Sequence, residues 1–227
     1  VVAVDRAPLA VVAASGDGVV VDAAADTVTA ERIETDADTD SDVDIGSDAG
    51  AGAGMTIAVL DTGVDYTHAA FGGPGTILAY AAAGLAPTRV DDVWDGRPLF
   101  PTARVVAGVD VAGERYVPGC TAAAEARGLC RRQPEGDPDP LDTHGHGTHV
   151  AGIAAGGATP HLGAGVAPGA AVVAVKVFGA GGQTDLLIDG LEWVLEANLA
   201  AAMDGGPRAI DVVNLSLGIA YGAKVLV

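Results

Sequence analysis

Residues 171–215 read AVVAVKVFGAGGQTDLLIDGLEWVLEANLAAAMDGGPRAIDVVNL. The apolar runs at its two ends, 171–177 and 210–215, are too uniform to leave one face wet, so both read as strands buried on two sides. Between them Leu187, Leu191, Val194, Leu195 and Leu199 recur at helical spacing. Thr184 can cap the start and Gly205-Gly206-Pro207 ends the pattern, which predicts a helix over 184–202. Strand, helix, strand at this length is a β-α-β unit. Residues 55–60 and 104–111 read as further strands of the same buried type. The expected fold is therefore α/β: a three-layer, mostly parallel β-sheet with helices on both faces. In such sheets the active crevice lies beyond the carboxyl ends of the strands.

Composition narrows the function. The 227 residues are 49% hydrophobic with mean hydropathy +0.35, enough to bury a sizeable core. Twelve basic against 30 acidic residues give a net charge of −18, which repels nucleic-acid backbones and anionic lipid. No nucleic-acid or membrane partner is expected, and no apolar run approaches the roughly 20 residues of a membrane span. A monomer is expected. Cys120 and Cys130 enclose a loop that a disulfide would stabilise by about 2–3 kcal/mol, with two free thiols as the alternative.

Residues 1–54 read as an acidic linker or propeptide remnant. Asp36, Asp38, Asp40, Asp42, Asp44 and Asp48 alternate as in a calcium loop, but Ile45 stands where the turn glycine belongs and Ala51 where the bidentate glutamate belongs. Residues 55–227 form the compact part, and within it 74–140 reads as a long surface-loop insertion. The start, with neither Met nor a signal core, and the apolar finish Lys224-Val225-Leu226-Val227 lead to the expectation of truncation at both ends.

Two places carry chemistry. Asp61 follows the 55–60 strand directly, in Asp61-Thr62-Gly63-Val64-Asp65, and so sits at a strand's carboxyl end, either orienting a partner or capping the next turn. The second is Asp142-Thr143-His144-Gly145-His146-Gly147-Thr148-His149-Val150-Ala151-Gly152, where small residues from Gly147 onward let a helix start. A histidine at a helix start faces the positive end of its dipole, which favours the neutral ring a general base needs. His144 reads as an exposed loop residue and His149 as a structural ring; His68 and His161 have no supporting constellation.

These motifs, followed by Gly165-Val166-Ala167-Pro168-Gly169-Ala170, Val175-Lys176-Val177 and Val213-Asn214-Leu215-Ser216-Leu217-Gly218, resemble in order the signature of the subtilisin-like serine proteases, the subtilases. The resemblance covers about residues 55–218. It implies a secreted, extracellular endopeptidase acting on polypeptides through an aspartate–histidine–serine triad on an incomplete α/β domain. Asp61 would be the triad acid and His146 its base. Ser216, Leu217 and Gly218 match the family's substrate-binding strand, and Gly181 and Gly182 its opposing segment.

The departures matter as well. The family's nucleophile lies in a Gly-Thr-Ser-Met-Ala segment, and none of Ser15, Ser41, Ser47 and Ser216 has that context; Asn198 and Asn214 likewise do not fit the oxyanion asparagine. The 227 residues alone are expected to be inactive. His68-Ala69-Ala70-Phe71 holds no carboxylate where many subtilases carry a calcium ligand, so no cofactor and no metal site are expected. Three rivals stand beside this reading: a catalytically dead binding module, an aspartic protease built on Asp61-Thr62-Gly63, which would need a second such motif, and a zinc hydrolase using His144, His146 and His149.

Overall fold

The computed structural model describes residues 50–85, 92–179, 181–204 and 210–218, together with the backbone of three short N-terminal strands. Nine strands and four α-helices occur among them. β1 (Ala10–Ala13), β2 (Val19–Val21) and β3 (Ala30–Arg32) precede β4 (Thr56–Asp61) and α1 (Ile77–Gly84). A two-stranded hairpin, β5 (Val93–Trp94) and β6 (Arg97–Pro98), leads to β7 (Val105–Asp110) and α2 (Ala122–Ala126). α3 (His146–Ala155), β8 (Ala171–Lys176), α4 (Leu187–Asp204) and β9 (Val212–Asn214) complete the order.

The main sheet runs β3-β2-β1-β9-β4-β8-β7. From β1 to β7 every pairing is parallel; only β1–β2 and β2–β3 are antiparallel. The expected mostly parallel α/β sheet is therefore present. β8, α4 and β9 form the anticipated β-α-β unit, with β4 lying between its two strands.

β4 shows why its interior, Ile57 to Leu60, is apolar without a break. Ile57 and Val59 point to one face, into a cluster with Ala151 and Ala155 of α3 and Ala79 and Ala83 of α1. Ala58 and Leu60 point to the other, against Leu187, Leu191 and Val194 of α4. Alternate side chains of one strand thus serve two cores, and a central strand with helices on both sides has no polar face to show. Small residues set the layer spacing: a Cβ on Gly190 would lie 2.6 Å from Val177 Cγ1, so α4 seats directly on the sheet.

Three expectations need correction. α4 begins at Leu187, and Thr184 does not cap it; the Thr184 hydroxyl accepts from Leu186 N and donates to the Val177 carbonyl, closing the turn before the helix. The 74–140 stretch is more regular than its prolines imply, since it holds α1, the β5–β6 hairpin and α2. The Thr76 hydroxyl caps α1 by accepting from Ala79 N at 3.2 Å, a signal present in the sequence but overshadowed by the surrounding breakers. Within residues 1–54, β1 pairs in parallel with β9 and carries β2 and β3 with it. That pairing joins segments about 200 residues apart, which local composition does not reveal. The acidic residues Asp36 to Asp48 lie outside the described residues. Cys120 and Cys130 are bonded, with Cα atoms 6.1 Å apart.

Candidate active site

β4, β7, β8 and β9 all end on the same side of the sheet, at Asp61, Asp110, Lys176 and Asn214. Asp61 and Lys176 are register partners, as are Asp110 and Lys176. Charged groups thus gather where parallel strands stop and loops begin, the place where such sheets bind ligands.

Asp61 is 1% exposed. One of its carboxylate oxygens, Oδ1, accepts from Thr62 N at 2.7 Å and lies 2.7 Å from His146 Nδ1. The contact spans 85 residues of sequence. His146 is the first residue of α3, and its side chain is 48% exposed while that of Asp61 is closed off. A ring so held has Nδ1 engaged by the carboxylate and Nε2 left on the open side, which is the division of labour a proton shuttle needs.

Close approach of the two elements depends on a glycine. A Cβ on Gly147 would lie 2.2 Å from the Gly63 carbonyl oxygen and 3.1 Å from Asp61 Cβ, so any side chain there would push the helix away. Gly147, Ala151 and Ala155 form the buried stripe of α3. Gly145 precedes the helix at φ +97°, a backbone conformation that glycine adopts without strain.

A cavity of about 270 Å³ is lined by Asp61, Thr62, His144, His146, Phe178, Gly182, Ser216, Leu217 and Gly218. The two proton-handling candidates and most of the expected substrate-binding residues therefore share one cleft. Gly181 does not line it: a Cβ there would meet Val117 Cγ2 at 2.9 Å, so this glycine faces the insertion. The Ser216 hydroxyl bonds Asn214 Oδ1 at 2.9 Å. Asn198 is likewise occupied, its amide bracketing the Ile210 backbone at the approach to β9. A larger cavity of about 600 Å³ lies along the His149, Gly152 and Ile153 side of α3 and includes neither Asp61 nor His146. Among the described residues no three His, Cys, Asp or Glu side chains are gathered so as to hold a metal ion.

Two further buried residues, Lys176 and Asp139, have roles that the motifs did not disclose. Lys176 is 1% exposed, and its ammonium meets Asp110 Oδ2 at 3.1 Å, Glu114, and the Leu141 carbonyl at 3.2 Å. Burial opposes that charge, but Asp110 and Glu114 outweigh burial and hold the ammonium above the usual lysine range. Asp139 is also 1% exposed. It accepts from Tyr66 Oη and Leu141 N, both at 3.0 Å, yet burial still pushes its carboxyl up to about 7.

A pH dependence follows from that shift. The folded chain keeps the Asp139 proton to about pH 7, whereas an unfolded aspartate carboxyl loses it near its ordinary 3.8. The folded state binds more protons in that interval, so this group makes stability fall as pH rises through it and adds no slope above it. Asp139→Asn keeps a neutral side chain of the same shape. It is expected to remove roughly 1 kcal/mol per pH unit of slope between pH 5 and 7, read from urea midpoints. An unchanged slope would assign the dependence to other carboxylates.

A carboxylate–imidazole pair across the carboxyl edge of a parallel α/β sheet places a general base where such folds bind ligands. The subtilase family model matches residues 52–224, and the chain belongs to that family of serine peptidases. It is 31% identical over 162 residues to subtilisin-like protease 3 of Pseudogymnoascus destructans, covering 69% of this chain and 29% of the relative. It is 41% identical over 85 residues to subtilisin Savinase of Lederbergia lenta, covering 37% of this chain and 28% of the relative. The chain thus spans less than a third of the length of these relatives. Among solved structures, the CspB protease of Clostridium perfringens aligns with 77% of this chain and 31% of its own, at TM-score 0.40 and 24% identity. No helix among the described residues is long and apolar enough to cross a membrane.

Proposed function

We propose that this chain supplies the acid and base of a secreted serine endopeptidase whose nucleophile lies outside the 227 residues. The observation that carries the reading is the 2.7 Å contact between Asp61 Oδ1 and His146 Nδ1 across 85 residues. Asp61 fixes the tautomer of His146 and steadies the imidazolium that forms. His146 Nε2 takes the proton of a serine hydroxyl as its oxygen bonds the scissile carbonyl carbon. The same proton then passes to the leaving amine as the carbon–nitrogen bond breaks. Ser216, Leu217 and Gly218 would pair with the main chain of an extended peptide, with Gly182 opposite and Gly181 backing that segment. The engaged Ser216 hydroxyl agrees with a binding rather than a nucleophilic part. Export is supported by the Cys120–Cys130 disulfide.

The 227-residue chain alone is expected to release no p-nitroaniline from peptide anilides. The same chain continued by a Gly-Thr-Ser-Met-Ala-bearing segment is expected to hydrolyse them and to lose activity when diisopropyl fluorophosphate phosphorylates the serine. Hydrolysis insensitive to that reagent but stopped by pepstatin or a chelator would overturn the reading.

A further inference from the structure

The short contact between Asp61 and His146 has to be held by something other than packing, because the His146 side chain is half open to solvent. Thr62 and Asp142 lie between the two elements. The Thr62 hydroxyl accepts from Gly147 N at 2.9 Å and donates to Asp142 Oδ1 at 2.9 Å, while Thr62 N fixes the Asp61 carboxylate. The residue after Asp61 is thus bonded to the residue after His146.

Asp142 is 2% exposed and both its oxygens are used. Oδ1 accepts from the Thr62 hydroxyl, His144 N at 2.8 Å and Gly145 N at 2.9 Å. Oδ2 accepts from Thr148 N at 2.9 Å and the Thr148 hydroxyl at 2.6 Å. That hydroxyl in turn accepts from Asp65 N at 2.9 Å, a second stitch to the loop after β4. The carboxylate and the Thr62 hydroxyl satisfy first-turn amides of α3 that Gly145 cannot cap, since glycine has no side chain.

We propose that Asp142 and Thr62 form a clamp that sets the separation of Asp61 and His146, with Asp142 as a positioning residue that touches neither substrate nor the transferred proton. The proposal rests on the protease reading for its kinetic consequence but not for its geometry. An Asp142 that were only a helix cap would need no partner on the β4 loop. The carboxylate instead joins the helix start to that loop through a hydroxyl that has a bond to each. Displacing a reacting group by about 1 Å costs on the order of 10²-fold in rate.

The test has two independent readouts. In the 227-residue chain, the Asp61-bonded Nδ1 proton of His146 is followed as a low-field ¹H resonance, assigned by its loss in His146→Ala. Asp142→Ala and Thr62→Val are expected to abolish or broaden it, and Thr62→Ser, which restores the hydroxyl, to bring it back. Tyr80→Phe removes the bond from Tyr80 Oη to the Asp142 carbonyl at 3.0 Å and leaves the carboxylate alone. It serves as a destabilised control and is expected to keep the resonance. In the polypeptide that carries the serine, Asp142→Asn is expected to lower kcat by about 10- to 100-fold with KM within about twofold. A resonance unchanged in folded Asp142→Ala and Thr62→Val, as judged by circular dichroism, would overturn the clamp. So would a resonance lost equally in Tyr80→Phe, or an effect on KM alone. Loss in the two variants without any hydrolysis by the serine-bearing polypeptide would uphold the clamp and refute the protease reading.

Discussion

Replacing His146 by alanine in the serine-bearing polypeptide is expected to lower kcat by about 10⁶-fold while leaving KM nearly unchanged, the scale known for triads of this kind. The imidazole is placed both to receive a proton on its open side and to be steadied by a buried carboxylate. Its removal takes away the base without altering Ser216, Leu217 or Gly218 in the cleft wall. Asp61→Asn should cost less, about 10⁴-fold, because the amide offers Nδ1 the wrong partner while the ring remains. Since acid and base act as one unit, the double variant is expected to be no slower than His146→Ala alone. Steady-state kinetics of the three variants check this. A loss of less than tenfold in His146→Ala would remove the imidazole from the mechanism.

Lys176→Met is expected to destabilise the chain by about 3–5 kcal/mol, the usual penalty for leaving a buried charge without its partner. The strand-end ammonium meets Asp110, which is 0% exposed, and Glu114, and it donates to the Leu141 carbonyl. Removing it strands the Asp110 carboxylate, which would retain only the Ala112 and Gly113 amides at 2.8 and 2.7 Å. Leu141 immediately precedes the clamp residue Asp142, so the same substitution should also loosen the approach to α3. Lys176→Met with Asp110→Leu is expected to recover much of the loss, since replacing both members of a buried pair by apolar groups is often neutral. Urea unfolding of the single and double variants distinguishes the cases. A single-variant loss below 1 kcal/mol would show that water or rearrangement compensates the carboxylate.

These outcomes depend on side chains of unequal legibility. Asp61 and His146 can be picked out because one ends a buried strand and the other opens a helix, in motifs that together resemble those of a known family. Thr62 and Asp142 stood in the same motifs, yet their work is to bridge them, and a bond between positions 80 residues apart leaves no local period or propensity to read. Lys176 presents a similar case: in a run of alanines and valines it looks like an interruption, and only its register between Asp61 and Asp110 explains it. Gly181 shows the converse, since its sequence context placed it in the cleft while packing turned it toward Val117.

The α/β class and the β8-α4-β9 unit are readable in the sequence, and the motifs, through their resemblance to a family, point to Asp61 and His146 as the expected acid and base. Two-sided burial leaves an unbroken apolar run, amphipathic helices leave a 3.6-residue period, and both are local marks. That β4 lies between β8 and β9, that β1 pairs with β9, and that Thr62 and Asp142 tie the two loops together emerge only in the folded chain. Strand neighbours and buried polar bridges are chosen by groups distant in the chain satisfying one another once water is excluded. Such choices have no signature shorter than the fold itself.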